Sequence, residues 1–597
     1  MDKGVMEKYE QGITLFEEGR YEDAVACLID AYESGYMQTE IIRDIYNCFV
    51  IPNSLEFQDN YNAAGVERYG IQCEDTLIDF IPVEEYKFYL WHKKQEKFLG
   101  LYDVKNAGRA ETKSFQSILI ADGCNVEKAL ALLEQKQWNN IYVLLQGQKS
   151  EFLSFCKLPL FFNKYLEHAL FFKSEEEMKA YFKDSENYLP HMICADNEQY
   201  YNELFEKIHI KRISGSYTEE RKNIFLSICI PTWNRGLSAL NAVKNILAAS
   251  YDAEIEVVVS NNGSDKTEGY DELKEIKDLR LRYYELESNM GFAYNFRNVL
   301  GKAKGRFAVM SSDEDLLNLE ELPKYLDFLF NNMDVRILTT SGVGPNFRDS
   351  ESHICLPGIE SNVRAINTNY ITGITFNINY MRENKIFEKY DELSNLTFIY
   401  WYAQCTMAAI TTKGGTAAFF NVKLWQEDGT VQKTETDKES GMLQYMKLEN
   451  RIKQQNDAVE FCKILYYDDD QMFVLMMCER MYKTYILLNV GFCCLPKEFM
   501  NEYNWLEVCL SIYDSHMKLL SIYLGKDEVL EKRLKQFIYD KGFCEFILEN
   551  PLKPYQTEEE NLIQEKTALA IKEKIMHGIL PKDISVKAVE KEIKTVL

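Results

Sequence analysis

Apolar and polar positions alternate with a different period in each of four stretches of the chain. Residues 1–80 carry Gly12, Leu15, Gly19, Tyr21, Ala24, Leu28 and Ala31 at spacings that predict two short helices closing on each other at the small residues. One hairpin cannot bury its own face, so a further helix around 39–50 is expected to cover it. From 81 to 215 the period changes. SILIAD at 117–122 is a β-rich run, 125–135 is an amphipathic helix, and NIYVLL at 140–145 is a second apolar run. That βαβ order predicts a small parallel sheet, whose strand ends are where a nucleotide can sit. The turn after the first run reads ADGCN and lacks the G-x-G-x-x-G spacing, which argues against a dinucleotide. A helix with a basic finish and a Gly/Ser-containing linker, ISGSYTEE, close this stretch. Residues 222–430 repeat the strand–helix alternation at greater length, starting from the apolar run IFLSICI. Residues 431–597 turn polar and helical, with amphipathic stretches at 441–455, 471–493 and 504–524.

A length of 597 residues implies several domains, and 46% hydrophobic residues suffice to give each a core without staples. Lys and Arg total 68 against 93 for Asp and Glu, and the resulting net charge of −25 argues against DNA, RNA or anionic lipid as partners. The 15 cysteines are scattered, with one adjacent pair and no C-x-x-C spacing, which reads as buried thiols of a reducing compartment. The charged start, MDKGVMEKYEQG, lacks the apolar core of a secretory signal. Nor does any apolar stretch approach the roughly 18 residues of a spanning helix. The expectation is a cytoplasmic protein with no transmembrane segment. The offsets of Gly, Tyr and Ala near the N-terminus resemble one tetratricopeptide repeat, which implies a surface for a protein partner. An ordinary helical hairpin packed on the next domain is the alternative.

The chemistry lies in the third stretch. The run 224–230 leads into Pro231, Thr232, Trp233, Asn234 and Arg235 and then a helix. A strand, a tight turn and a helix N-terminus together expose backbone donors where an anionic nucleotide can bind. The next run, EIEVVVS at 254–260, ends in Asn261, Asn262, Gly263, Ser264 and Asp265. Two adjacent polar strand ends make a crevice. Asn289 and Gly291 follow, with Asn295 and Asn298 at helical spacing. RFAVMSS at 306–312 then delivers Asp313, Glu314 and Asp315. Clustered, partly buried carboxylates repel one another, and Mn²⁺ or Mg²⁺, shared with the oxygens of a diphosphate, resolves that conflict. The plainer reading is that Asp313 and Asp315 cap a following helix.

In this order, LSICIPTWNR, VVVSNNGSDKT and NMGFAYNFRNVLGKAKGRFAVMSSDED resemble a family 2 glycosyltransferase of the GT-A fold, over residues 226–315. The resemblance implies a UDP-sugar donor, with Pro231, Thr232, Asn234 and Arg235 around the base and ribose. It places Asn261 where such enzymes carry an aspartate that accepts the uracil N3–H, a contact an amide oxygen can also make. Asn289 and Gly291 would approach the nucleotide, Asp313 would contact ribose or metal, and Asp315 would hold the metal on the diphosphate. Family members supply the base of an inverting reaction from an acidic pair further on. Here Thr372 and Gly373 match a familiar turn, but no clean Glu-Asp pair follows, and Asp391 and Glu392 are the nearest acids.

The sequence therefore predicts an α/β protein in four parts: 1–80 helical and tetratricopeptide-like, 81–215 a small α/β domain, 222–430 a GT-A glycosyltransferase domain, and 431–597 a helical domain. The expected activity is metal-dependent sugar transfer from a nucleotide-diphosphate donor to a macromolecular acceptor such as a surface protein or glycan. Two rivals stay open. One is a degenerate transferase-fold scaffold that binds a protein partner. The other is a nucleotidyltransferase, for which no Gly-rich triphosphate loop is visible.

Overall fold

Each stretch of strand–helix alternation closes into its own sheet, the smaller wholly parallel and the larger mixed. The computed structural model describes residues 3–105, 112–214 apart from 148 and 185, 224–341 apart from 250–253, 351–428 apart from 369, 448–480, isolated positions between 504 and 532, and 557–597. The expected linker falls mainly in 215–223, and most of the expected helices between 481 and 556 likewise lie outside the described residues.

Helices Lys3–Glu17 and Tyr21–Glu33 form a hairpin that is tightest at Gly12, where a Cβ would come within 3.1 Å of Leu28. Ile41, Ile45 and Phe49 cover its apolar face, as the pattern requires. The same face also receives Ile81, Val83, Trp91 and Phe98 from an antiparallel sheet of β1 (Ile78–Glu84), β2 (Lys87–His92) and β3 (Lys97–Asp103). β1 thus runs across residue 80.

The small parallel sheet comprises β4 (Ile118–Ala121), β5 (Ile141–Leu144), β6 (Leu170–Phe172) and β7 (Met192–Cys194), in the order β6-β5-β4-β7. Helix Val126–Gln135 follows β4 and helix Glu198–Ser214 follows β7. The segment leading into β4 is fastened to the larger domain. Asp327 Oδ1 accepts from the Ser114 hydroxyl at 3.0 Å and the Phe115 N–H at 2.7 Å, and the Phe115 ring lies 4.5 Å from that of Phe225.

The large sheet has eight strands: β8 (Leu226–Thr232), β9 (Ile255–Asn261), β10 (Leu281–Glu285), β11 (Phe307–Met310), β13 (Ile337–Thr340), β14 (His353–Ile354), β15 (Thr375–Asn377) and β16 (Ala417–Phe420). Their order is β10-β9-β8-β11-β15-β13-β16-β14. The first four are mutually parallel, and β15 runs against β11. A separate ribbon pairs β12 (Asp315–Leu317) with β17 (Trp425–Glu427). Strands buried on both faces read as continuous apolar runs, because alternate side chains enter two different cores. Ile228, Ile230, Val257 and Val259 join Ala239, Val243 and Tyr325 on one side. Cys229 and Val258 join Phe296, Met310 and Phe376 on the other.

That second core continues into Phe461, Met476, Ile571 and Val586, so the described C-terminal helices share a core with the sheet. Of the aromatic run at 398–402, Phe398 and Tyr402 lie in this core, with the Arg480 guanidinium 4.4 Å from the Tyr402 ring centre. Tyr400 is exposed. The α/β fold class expected from the alternation is therefore the one observed. Among the described residues no helix is long and apolar enough to cross a membrane.

Candidate active site

The C-terminal ends of β8, β9 and β11 deliver their polar residues to one edge of the large sheet, and hydrogen bonds tie the loops to one another. The Thr232 hydroxyl donates to Asp313 Oδ2 at 2.7 Å and pairs with the Tyr270 hydroxyl at 2.8 Å. The other Asp313 oxygen accepts from Arg235 Nη1 at 3.3 Å, and the same nitrogen donates to Glu314 Oε2 at 3.1 Å. Asp313 is thereby pinned on both oxygens. Burial nevertheless raises its carboxyl to about 6, with Arg235 and Thr232 opposing the rise.

Asp315 does not continue β11. The strand stops at Met310, the chain turns, and Asp315 opens the ribbon opposite Glu427. The capping alternative is not realised, since the next helix, Leu322–Asn331, begins seven residues later and has no side-chain cap. Asp315 is 3% exposed, and its Oδ2 accepts from the Thr372 hydroxyl at 2.5 Å. The Ser312 N–H donates to that same hydroxyl at 2.9 Å. Burial pushes the Asp315 carboxyl up to about 6; Thr372 opposes the rise, while Glu314, Glu427 and Asp313 add to it. Gly373 lets Thr372 reach this position. Its φ is +87°, and a Cβ there would meet Thr340 Oγ1 at 2.3 Å.

Asn261 is 1% exposed and turned into the loop that follows it. Its oxygen accepts from both the N–H (3.2 Å) and the hydroxyl (2.5 Å) of Ser264, and its amide nitrogen donates to Tyr283 and Glu285. The Ser264 hydroxyl also accepts from the Asn234 N–H at 2.8 Å, while Asn234 Oδ1 accepts from the N–H groups of Asp265 and Lys266. Asn234 adopts a φ of +55°, which an asparagine tolerates in such a turn. Pro231 lies within β8, paired with Ser260. Asn289 is exposed, and its Oδ1 accepts from Asn262 and from the Gly291 N–H, each at 2.9 Å. Asn295 and Asn298 both fasten helix Phe292–Lys302 to Ser260 at the end of β9.

The structure brings together Thr232, Asn234, Arg235, Asn261, Asp313 and Asp315, and adds residues that the sequence reading did not single out. Tyr270 braces the Thr232 turn, Asn262 holds Asn289 and Met290, and Glu427 faces Asp315 across the ribbon. The polar run after β9 contained the signal for Asn262. Nothing local marked Glu427, which pairs with Asp315 from more than a hundred residues away. Asp391 stands apart from this network on helix Ile386–Glu392, where Arg297 grips both its oxygens at 2.9 and 2.7 Å. Glu392 is exposed at the end of that helix.

As a metal site this edge offers the carboxylates of Asp313 and Asp315, with Glu314 and Glu427 beside Asp315. Among the described residues no three ligating side chains converge. Asp313 accepts one hydrogen bond on each oxygen, from Thr232 and Arg235, whereas Asp315 keeps an oxygen beyond the one that Thr372 occupies. Its like-charged neighbours favour a hard cation beside it, so the donor chemistry fits Mn²⁺ or Mg²⁺ completed by ligand oxygens.

Residues 227–391 match glycosyl transferase family 2. The matched segment runs from β8 through the Asp313–Asp315 turn and Thr372 to Asp391. No curated protein matches the chain. Among solved structures, S. aureus TarS 1-349 in complex with UDP-GlcNAc overlays 60% of this chain and 92% of its own, at 14% identity and a TM-score of 0.37. The mannosyltransferase PcManGT from Pyrobaculum calidifontis, in complex with GDP-Man and Mn²⁺, overlays 56% and 91%, at 14% identity and a TM-score of 0.31. Overlays this loose add no weight to the family match.

Proposed function

We propose that the family 2 segment transfers a sugar from a nucleotide-diphosphate donor, a UDP-sugar, to a macromolecular acceptor such as a surface protein or glycan. The observation that carries this reading is Asp315, a buried carboxylate held by Thr372 beyond the parallel strands of the large sheet and beside further acids. In this reading Asp315 holds Mn²⁺ or Mg²⁺ against the donor's diphosphate. A cation so held supplies neutralisation of the charge that grows on the leaving nucleoside diphosphate. Thr372 keeps the Asp315 carboxylate in one orientation. Thr232, Tyr270 and Asp313 fix the turn carrying Arg235, and the Asn234–Ser264–Asn261 chain fixes the wall where base and ribose would lie. Loops already bonded to one another lose little freedom when a ligand arrives.

For an inverting transfer, one acid of the 391–392 pair takes the acceptor's proton. Asp391 is occupied by Arg297, which leaves Glu392 as the proposed acceptor of that proton. The helical hairpin at the N-terminus is the proposed surface for a protein partner.

One observation favours the scaffold reading instead: the Asn261 oxygen, proposed to accept from the base, is filled by Ser264. A thermal-shift screen of nucleotide sugars separates the two. A ligand that binds only the folded state raises its melting temperature by mass action. The transferase reading expects a UDP-sugar to raise it only when Mn²⁺ is present. A scaffold shows no shift with any donor.

A further inference from the structure

The four strands of the small sheet end at a second cavity, of about 530 Å³, which falls within the roughly 300–1,000 Å³ typical of small-molecule sites. It lies where the strand order reverses. Successive strands β4, β5 and β6 step outward in one direction, and β7 returns to the other side of β4. At such a switch the loops diverge and leave a crevice beyond the carboxyl ends of the strands.

The loops on either side of that switch carry the acids. Gly123, with φ at +90°, turns the chain directly after β4, and a Cβ there would lie 4.0 Å from Asp196 Oδ2, so the Asp196 carboxylate stands opposite this turn. Asp122 is 5% exposed. One of its oxygens accepts from the N–H groups of Glu151 and Phe152, each at 3.2 Å, and the other has no hydrogen-bond partner. Two further lining side chains are held ready, since the Tyr200 hydroxyl donates to Glu175 at 2.6 Å and the Gln146 amide donates to the Tyr201 hydroxyl at 2.7 Å.

Charge selects the ligand. Three carboxylates, Asp122, Glu175 and Asp196, line the cavity against Lys173, with Lys179 paired to Glu175 from the same helix, and the negative balance that remains repels a phosphate or a nucleoside diphosphate. Carboxylates and amides accept hydrogen bonds from hydroxyl groups, and tyrosine rings offer an apolar face with a polar tip. We propose that this cavity binds a neutral, hydroxyl-rich ligand, a short saccharide, separately from the crevice on the large sheet. The binding does not depend on the activity proposed above. If that activity holds, the ligand is the acceptor glycan.

Isothermal titration of the full chain tests this, with glucose, galactose, N-acetylglucosamine and their β-linked dimers as probes and UDP with Mn²⁺ as the comparison. Asp196 and Tyr200 are exposed, so Asp196→Ala and Tyr200→Ala leave the fold intact. The expected result is a saccharide that binds the natural protein and Asp315→Asn alike, and binds Asp196→Ala about tenfold more weakly or worse. Asp196→Ala should bind UDP unchanged. The proposal is overturned if no probe binds at millimolar concentration, if Asp196→Ala binds saccharide as tightly as the natural protein, or if Asp196→Ala loses UDP instead. Loss of UDP binding in Asp315→Asn bears on the large sheet alone, so the two readings fail separately.

Discussion

The parallel strands of both sheets end in acids, but the two sheets treat those acids differently. At the large sheet, the loops around the crevice are bonded to one another: Thr232 to Asp313, Asn234 to Ser264, Asn262 to Asn289, and Thr372 to Asp315. At the small sheet, Asp196 stands exposed at an open cavity, and behind it Asp122 keeps a buried oxygen with no hydrogen-bond partner. The same topology therefore supports a pre-tied edge in one domain and an open bowl in the other. Loop chemistry, and not strand order, decides which. A pre-tied edge suits a reaction that needs charge held in one place. An open bowl suits reversible capture.

Breaking the large edge should cost most. Asp315→Asn removes a buried carboxylate that keeps an oxygen beyond Thr372, and Mn²⁺-dependent turnover of a UDP-sugar should fall by about 10²–10³, the size of loss seen when a placed electrostatic group is removed. Glu392→Gln should lower transfer to an acceptor by about 10² while leaving Mn²⁺-dependent UDP binding unchanged, a split that calorimetry and initial rates together resolve. Thr372→Val deletes a hydrogen bond to a carboxylate and keeps the volume. Turnover should drop about tenfold, with Asp315 still present.

The small edge should answer to pH. Burial raises Asp122 from 3.8 to about 6, so between those values the folded protein holds a proton that the unfolded chain has released. Its contribution to stability is complete below about pH 4 and is lost as pH rises through 6. Asp122→Asn should flatten that slope relative to the natural protein, by up to ~3 kcal/mol in chemical denaturation. Asp391→Asn should do least, changing stability by at most ~1 kcal/mol, because its ion pair with Arg297 is half exposed.

The strands and the crevice of the large sheet were legible because continuous apolar runs end abruptly in short polar residues, as at Thr232, Asn261 and Asp313. The turn at Asn261 was legible in part, since an asparagine three residues before a serine is a local arrangement. Contacts between distant segments were not. Thr372 reaches Asp315 across 57 residues, and β17 returns from still further along the chain. β6 and β7 span three residues each, too short for a period to show, so the strand order that opens the second cavity had no sequence signal. Tyr270 reads as a core aromatic, and it is buried, yet its hydroxyl braces the turn at Thr232 and Arg235.

The central claim is that Asp315 serves a cation on a sugar donor. Release of UDP from a UDP-sugar, followed as a function of Mn²⁺ in the natural protein and in Asp315→Asn of verified fold, tests it most directly. The account predicts saturable, Mn²⁺-dependent release in the natural protein and none above buffer in the variant. Equal rates in the two proteins, or release indifferent to Mn²⁺, would contradict it.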